Sequence, residues 1–308
     1  RVMKKVKSLD LINKDQLNAI SEKKDWINVL SLACNWMGIF LGISLFALFP
    51  SFATCIVSIV IIGSRQFALA VLGHEAAHRL LFANSKINDW AGQWLCSFPL
   101  FLDNRIYRPY HLDHHKFTER KEDPDKVLSD PFPITKRSFF RKVVRDITGL
   151  TGLKRYSATM FSIAKSKSDN ESSRVYKVLY KSNGFVITNL LIFLSISSFF
   201  HWSLFFLLWW LPACTYYSLI IRIRNIAEHG VTPGNSDFDN TRTTKANYLI
   251  RFLMVPHFVN YHLEHHLFLN CPWYNLPKAH KMLIENGYED EMCLEDSYKS
   301  VLKRATSG

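Results

Sequence analysis

The stretch Ser51–His78, SFATCIVSIVIIGSRQFALAVLGHEAAH, decides the fold. Its first part, Ser51–Leu72, is mostly apolar over the roughly 20 residues that a helix needs to cross the hydrocarbon core of a bilayer. Its last part places His74 and His78 one helical turn apart, directly after the apolar run. In isolation, HEAAH matches the H-E-x-x-H signature of zinc peptidases, in which the glutamate is the general base. The sequence therefore predicts a membrane-spanning helix that leads into a metal-binding pair, and it leaves a hydrolase open.

Further apolar segments predict three more spans. Of the 308 residues, 48% are hydrophobic. The apolar regions Trp26–Leu72 and Gly184–Ile221 are each broken once, by FPSF and by FHWS. Each region is therefore predicted to be a hairpin of two helices, which makes the fold class an all-α integral membrane protein with four transmembrane helices in two hairpins. The predicted spans are about residues 26–49, 51–72, 184–200 and 203–221.

The distribution of charge predicts how the chain lies in the membrane. The net charge is +12, and both hairpin tips lack Lys and Arg. The positive-inside rule then puts both termini and residues 73–183 and 222–308 in the cytoplasm, as a helical cap on a single membrane domain, residues 1–308. Because topology explains the charge, nucleic acid is not an expected partner. The lysines that precede the first span are Lys4, Lys5, Lys7, Lys14, Lys23 and Lys24.

The segment Glu119–Lys181 carries an excess of Lys and Arg. Anionic lipid, or an acidic electron donor such as a ferredoxin, would be attracted to such a segment. An ordinary cytoplasmic loop of a membrane protein has the same composition, so the sequence alone leaves these alternatives open. The six cysteines are scattered singly, which argues against a disulfide framework or a thiolate metal site.

Nine of the twelve histidines fall in four short clusters within the predicted cap: HEAAH, HLDHH, NIAEH and HLEHH. Positions i, i+3 and i+4 converge on one face of a helix, so each cluster can present its imidazoles together. A zinc site uses three or four protein ligands. Nine imidazoles instead suit two metals with open positions, and iron, copper, nickel and zinc all accept imidazole. The nine are His74, His78, His111, His114, His115, His229, His262, His265 and His266.

Four acidic residues lie within these clusters and are candidates for orienting the histidines. A carboxylate that accepts the second ring N–H of a ligand histidine fixes its tautomer. Asp113 and Glu264 lie inside the two H-x-x-H-H boxes, and Glu75 and Glu228 each adjoin a histidine in the other two clusters. The sequence predicts that these carboxylates hold ligand histidines in place, with solvated acids on a helix face as the alternative.

The four clusters resemble those of the histidine-box membrane fatty acid desaturase and hydroxylase superfamily. The similarity covers about Ser51–His280, and GHEAAHRLLFAN, YRPYHLDHHKF and NYHLEHHLFLNCPWYNLP are most similar to sphingolipid-desaturase-like and bacterial fatty acid desaturases. The resemblance implies a cytoplasmic di-iron centre bound by all nine clustered histidines, with Asn225 near one iron, either beside its ligands or through water. It also implies O2 as a reactant and an external electron donor, a ferredoxin or a cytochrome b5, since the sequence shows no His-Pro-Gly-Gly haem motif.

The resemblance implies desaturation of an aliphatic chain, fatty acyl or lipid-linked, taken from the bilayer. The first box has three residues between its histidines, whereas acyl-CoA desaturases typically have four, so a lipid-bound substrate is favoured over a soluble thioester. A hydroxylase or ketolase acting on a lipid or isoprenoid is an alternative, because placement of the substrate decides the outcome. An intramembrane zinc hydrolase and a histidine-rich metal-binding receptor or transporter also remain, and the identity of the metal distinguishes them.

Overall fold

A computed structural model describes residues 6–165 and 171–308, with only the backbone described at residues 164 and 171–177. Lys4 and Lys5 of the predicted basic flank lie outside the described residues. The described chain is mostly helical, at 71%, which confirms the predicted helical class. A parallel pair of two-residue strands, β1 (Thr243–Thr244) and β2 (Leu294–Glu295), is also present.

The helices vary widely in length. Two π-helical turns, at Gly92–Ser97 and Phe206–Trp210, and three 3-10 turns, at Phe98–Leu100, Trp273–Asn275 and Glu289–Glu291, lie between α-helices. The α-helices are α1 (Ser8–Leu11), α2 (Lys14–Ser21), α3 (Asp25–Leu48), α4 (Phe52–Ala77), α5 (Ser85–Ala91), α6 (Asn104–Phe117), α7 (Lys126–Ser129), α8 (Lys136–Ile147), α9 (Leu150–Ala164), α10 (Glu171–Phe199), α11 (Leu211–Cys214), α12 (Tyr216–His229), α13 (Tyr248–Leu253), α14 (His262–Leu267), α15 (Leu276–Glu285) and α16 (Tyr298–Ala305).

Four helical stretches of the described chain are long and apolar enough to cross a membrane, which confirms the predicted number of candidate spans. Large apolar side chains on these stretches point outward, with Phe52 84% exposed and Phe199 72% exposed. Broad exposed apolar surface is uncommon on soluble proteins, so the outer surface suits lipid. The pairing into two hairpins and the cytoplasmic position of the cap stay predictions. The four stretches are Lys14–Leu48, Phe52–Ala77, Val178–Phe199 and Phe206–His229.

The central helix is α4, which continues beyond the predicted end of its span at Leu72. Its first half packs against α3, where the Ser58 hydroxyl donates to the Gly42 carbonyl over 2.7 Å. A Cβ on Gly42 would lie 2.9 Å from Ile62 Cγ1, so the two helices approach closely there. From Ile62 onward nearly every residue of α4 is buried. The helix therefore carries the first histidine pair into the interior of the protein.

The fourth predicted span, residues 203–221, is not one regular helix. A π-helical turn precedes α11, and between α11 and α12 the backbone leaves helical geometry, with φ −103° and ψ −88°. Pro212 lies in α11 and lacks a backbone N–H, which explains the local irregularity. A Cβ on Gly152 of α9 would lie 2.4 Å from Cys214 Cα. The interruption therefore coincides with the place where α9 contacts this backbone, and only glycine fits there.

Candidate metal centre

Hydrogen bonds to the end of α4 bring the second histidine box, on α6, against the first. Arg108 on α6 donates from Nε to the Ala77 carbonyl and from Nη2 to the Ala76 carbonyl, each over 2.9 Å. At the start of α6, Asn104 Nδ2 donates to the Gly73 carbonyl over 2.9 Å. The arginine satisfies carbonyls at a helix C-terminus that have no partner within the helix. The histidines of α6 consequently lie beside those of α4.

The third box lies on α14, all of whose residues are buried. The Leu263 N–H donates to the Thr243 hydroxyl over 3.3 Å, and that hydroxyl donates to the Glu264 carboxylate. On the other side of the same carboxylate, His280 Nδ1 of α15 lies 2.5 Å from Oε1. Contacts from β1 and α15 therefore hold α14 inside the molecule.

All nine clustered histidines come together in two groups, and within each group one ring nitrogen of every member lies within 4.8 Å of the others. Each H-x-x-H-H box supplies both groups. Its outer two histidines, four residues apart on one helix face, join one group, and its middle histidine, which points in another direction, joins the other. The first group is His74, His78, His111, His115 and His265, and the second is His114, His229, His262 and His266.

The nitrogens of the first group are spaced as ligands of one ion would be. His111 Nε2 lies 2.9 Å from the Nε2 atoms of both His78 and His115. His265 Nε2 lies 3.1 Å from His115 Nε2. Imidazole binds first-row transition metals at about 2.1 Å, so neighbouring ligand nitrogens around one ion are about 3.0–3.4 Å apart. This group therefore fits a single metal ion.

The second group has the same spacing. His262 Nε2 lies 2.9 Å from His229 Nε2 and 3.1 Å from His266 Nε2. A cavity of about 30 Å³, lined by His114 and Asn225 among others, adjoins this group. That volume holds about one water molecule. Asn225, one turn before His229 on α12, lines this cavity together with His114, His229 and His262.

The two groups touch each other through His115 and His266. Their ring centroids are 4.1 Å apart, with 34° between the ring planes. One ring belongs to each group, so metals held by the two groups would be close neighbours. The three remaining histidines, His201, His257 and His280, belong to neither group.

Burial keeps His78 and five of the six histidines of the two H-x-x-H-H boxes in the neutral form. It lowers the pKa of His78 to about 4. Neutral imidazole has a free nitrogen lone pair and is the form that binds metal, so these rings are ready to act as ligands at pH 7. Burial, followed by the effect of neighbouring cationic groups, also lowers the pKa well below its usual value for His111, His115, His262, His265 and His266.

The acid that orients His114 is Asp123, which the sequence did not single out. His114 Nδ1 donates to Asp123 Oδ1 over 2.8 Å, and Oδ2 accepts the Glu119 N–H over 2.8 Å. Burial raises the pKa of Asp123, but the hydrogen bonds that it accepts outweigh burial and hold that pKa below its usual value. Glu119 has the left-handed φ of 57°. That turn brings Asp123 back against α6, and the spacing of the histidines does not predict it.

Two of the four acids predicted to orient histidines lie elsewhere, which corrects those predictions. Asp113 is exposed, because its position within the box points away from the buried face of α6. Glu264 is fully buried at 0% exposure, but its two oxygens contact Thr243 and His280, so it anchors α14.

The other two predicted acids do adjoin clustered histidines. Glu75 Oε1 lies 3.7 Å from His74 Nδ1, while Oε2 accepts the Trp273 N–H over 3.0 Å. Glu228 Oε2 lies 3.4 Å from His262 Nε2. Glu75 is 2% exposed, and the Trp273 N–H already occupies one of its oxygens.

A mostly helical chain with four candidate spans and two touching groups of buried histidines defines a membrane-type protein whose site is suited to a pair of metal ions. The fatty acid desaturase family model matches residues 50–293, which include all nine clustered histidines. The chain therefore belongs to the fatty acid desaturase family and is a desaturase-like oxidoreductase. The family predicted from the histidine boxes is confirmed, and the hydrolase and receptor alternatives are wrong.

Curated relatives carry desaturase names. The chain is 30% identical over 246 residues to dihydrorhizobitoxine desaturase of Bradyrhizobium elkanii, a match that covers 75% of this chain and 68% of that protein. It is 25% identical over 238 residues to the chloroplastic omega-6 fatty acid desaturase of Glycine max, covering 73% and 55%. A shorter match, 33% identical over 96 residues, to the sn-1 oleoyl-lipid 12-desaturase of Arthrospira platensis covers 31% and 25%. The last two matches thus span about half or less of those relatives.

Proposed function

We propose that this protein is an O2-dependent di-iron membrane enzyme that desaturates an aliphatic chain, fatty acyl or lipid-linked. The observation that carries the proposal is the pair of buried histidine groups in contact through His115 and His266. All-imidazole sets with open positions suit a first-row transition metal. Removal of hydrogen from an unactivated methylene needs a redox metal, which favours iron in a member of the desaturase family.

Each group would hold one iron. The first would do so through five imidazoles and the second through four, with Asn225 acting through one water in the adjoining cavity. Asp123 holds His114 with its Nε2 atom turned toward the second group. The Glu228 carboxyl group lies 3.4 Å from His262 Nε2 and is paired with Arg224 Nε over 2.5 Å.

When bound, the two irons supply the oxidant that takes hydrogen from the substrate, using O2 and two electrons from a donor protein. A CH2–CH2 unit becomes CH=CH as it gives up two protons and two electrons. Those electrons and protons, with two electrons from the donor and two protons from the solvent, reduce O2 to two molecules of water. The protein keeps bulk water from the reacting centre, since His262 is 2% and His265 4% exposed.

We propose that the substrate is an apolar chain that reaches the histidines from the bilayer. The candidate span Phe52–Ala77 leads directly into the first histidine pair, which supports this route. Two relatives are named for a fatty acid and an oleoyl lipid, and this supports a lipid substrate. The relative named for dihydrorhizobitoxine matches more of the chain, so desaturation of a substrate of that class is the second candidate.

The proposed membrane orientation puts both termini and the histidine groups on the cytoplasmic side. Basic flanks and uncharged tips of the apolar regions support it. In that orientation a soluble or peripheral electron donor, a ferredoxin or a cytochrome b5, reaches the iron site directly.

Lipid analysis tests the reaction. Cells that produce the protein together with a ferredoxin and its reductase should accumulate lipids lighter by two hydrogens, only when O2 is present, and cells with an empty vector should not. Mass spectrometry of extracted lipids checks this. Products heavier by one oxygen would show that the enzyme is a hydroxylase. Products in which a CH2 has become C=O would show that it is a ketolase. Absence of any oxidised lipid, despite iron loading and active reductant, would contradict a lipid substrate, and dihydrorhizobitoxine would then be supplied.

A further inference from the structure

A second, larger cavity reaches the two histidine groups from another side. It has a volume of about 710 Å³, and its lining includes both His115 and His266. These are the two rings whose centroids lie 4.1 Å apart, one from each group. A molecule that enters this cavity therefore approaches both proposed iron sites at the point where the two groups meet.

The side chains around this cavity are predominantly basic. Four cationic side chains line it, Lys7, Lys23, Lys116 and Arg120, against one acid, Asp237. Asp237 already accepts the Val6 N–H over 2.7 Å and Asn240 Nδ2 over 3.5 Å. The lining is thus net positive, and it attracts an acidic partner over a distance of about 10 Å at moderate ionic strength.

The cavity opens on a part of the protein that a soluble partner can reach. Three parts of the chain line it. They are residues 6–23, which precede α3; the end of α6 with the turn that follows; and two segments that come after α12. None of the lining residues belongs to α3, α4, α10 or α12, and the four that lie in the stretch Lys14–Leu48 are at its N-terminal end, before α3. A lipid that enters from the bilayer would meet those helices first, whereas this opening is flanked by exposed lysines.

We propose that the mouth of this cavity is the docking surface for an acidic one-electron carrier protein. The inference rests on the proposed function, because that reaction requires two electrons from outside. An electron delivered at His115 or His266 is adjacent to both groups, since His115 Nε2 lies 3.1 Å from His265 Nε2 and His266 Nε2 lies 3.1 Å from His262 Nε2. Electron-transfer complexes are small, transient and steered by charge, which is what a ring of basic side chains provides.

Two lysines at the mouth allow a clean charge reversal. Lys7 and Lys116 are exposed, and the variant Lys7→Glu/Lys116→Glu changes the charge of the mouth without touching either histidine group. Lys23 is left in place because its Nζ donates to the Arg79 carbonyl over 2.8 Å. The matched control is Arg137→Glu/Arg141→Glu, an exposed pair on α8 that lies in the other basic segment of the chain.

The test measures binding of two probes, a plant-type [2Fe–2S] ferredoxin and the soluble haem domain of cytochrome b5, to detergent-solubilised holoenzyme. At least one probe should bind the wild type, and binding should weaken as salt is raised. The Lys7/Lys116 variant should bind that probe about tenfold more weakly, whereas the α8 variant should stay within about twofold of wild type, since no residue of α8 lines the cavity.

A second measurement, a single turnover driven by dithionite, separates docking from chemistry. Dithionite needs no docking surface, so the Lys7/Lys116 variant should match the wild type. The proposal is overturned if neither probe binds the wild type, or if the α8 variant loses as much binding as the Lys7/Lys116 variant. It is also overturned if the Lys7/Lys116 variant is equally impaired with dithionite, because that result would indicate that an anionic substrate uses the cavity. A wild type that binds a probe but turns over no substrate with dithionite would count against the proposed function alone.

Discussion

Replacement of His262 by alanine is expected to remove iron from the protein and to abolish all oxidation of substrate. His262 Nε2 has neighbours on two sides, His229 Nε2 at 2.9 Å and His266 Nε2 at 3.1 Å, and Glu228 Oε2 at 3.4 Å. Truncation would leave the second group with three imidazoles, while Glu228 would keep its ion pair with Arg224. Iron content by elemental analysis, together with lipid product by mass spectrometry, checks this prediction.

The matched control is His201→Ala. His201 is exposed and its Nδ1 atom contacts the Ser203 hydroxyl at 2.8 Å, away from both histidine groups. That variant should keep wild-type iron and activity. A His262→Ala protein that is folded, carries the full complement of iron and still oxidises substrate would show that the second group is not a metal site.

The second large effect is expected at Asp123. Asp123→Ala removes the acceptor for His114 Nδ1 and also the partner of the Glu119 N–H. Loss of a carboxylate that orients a ligand histidine typically costs about 10 to 100-fold in metal affinity or activity. Titration of apo-protein with ferrous iron, and the turnover number of the reloaded enzyme, measure the loss.

Asp113→Ala provides the comparison for this prediction. Asp113 lies inside the second histidine box but is exposed, so its removal should change iron affinity and turnover by less than about twofold. If Asp113→Ala is as damaging as Asp123→Ala, or if Asp123→Ala is silent, the assignment of the orienting acid is wrong.

These two aspartates show where prediction from sequence ends. The spacing of HLDHH predicts correctly that His111 and His115 share a helix face, because the relation between positions i and i+4 follows from helix geometry alone. Which acid faces them depends on the turn after α6, where Glu119 adopts a φ of 57°. Asp113 is close in sequence but points outward, whereas Asp123 returns to the helix through that turn.

Which histidines join which of the two groups could likewise not be predicted from the sequence. Nine imidazoles predict two metals by number, and all nine fall into the two groups. The crossing of the boxes, with His114 in one group and His115 in the other, depends on how α6 packs against α4 and α14. Arg108 joins α6 to α4, and Thr243 of β1 holds α14 in place; neither residue belongs to a recognisable motif.

The candidate spans follow from composition more directly. Long apolar runs predict long helices, and α3 (Asp25–Leu48) differs from the predicted span of residues 26–49 by one residue at each end. The fourth run contains Pro212, and there the structure has a π turn, a short helix and a break before α12. A hydropathy pattern records apolar length but not the loss of one backbone donor, so that interruption was not predicted.

The metal content of the purified protein tests the central claim most directly. Protein isolated from iron-replete cells without chelator, and analysed by elemental mass spectrometry, should carry about two irons per chain, one for each histidine group. Removal of that iron should abolish oxidation, and ferrous iron alone should restore it. A single tightly held zinc per chain, with iron unable to support activity, would contradict the di-iron account.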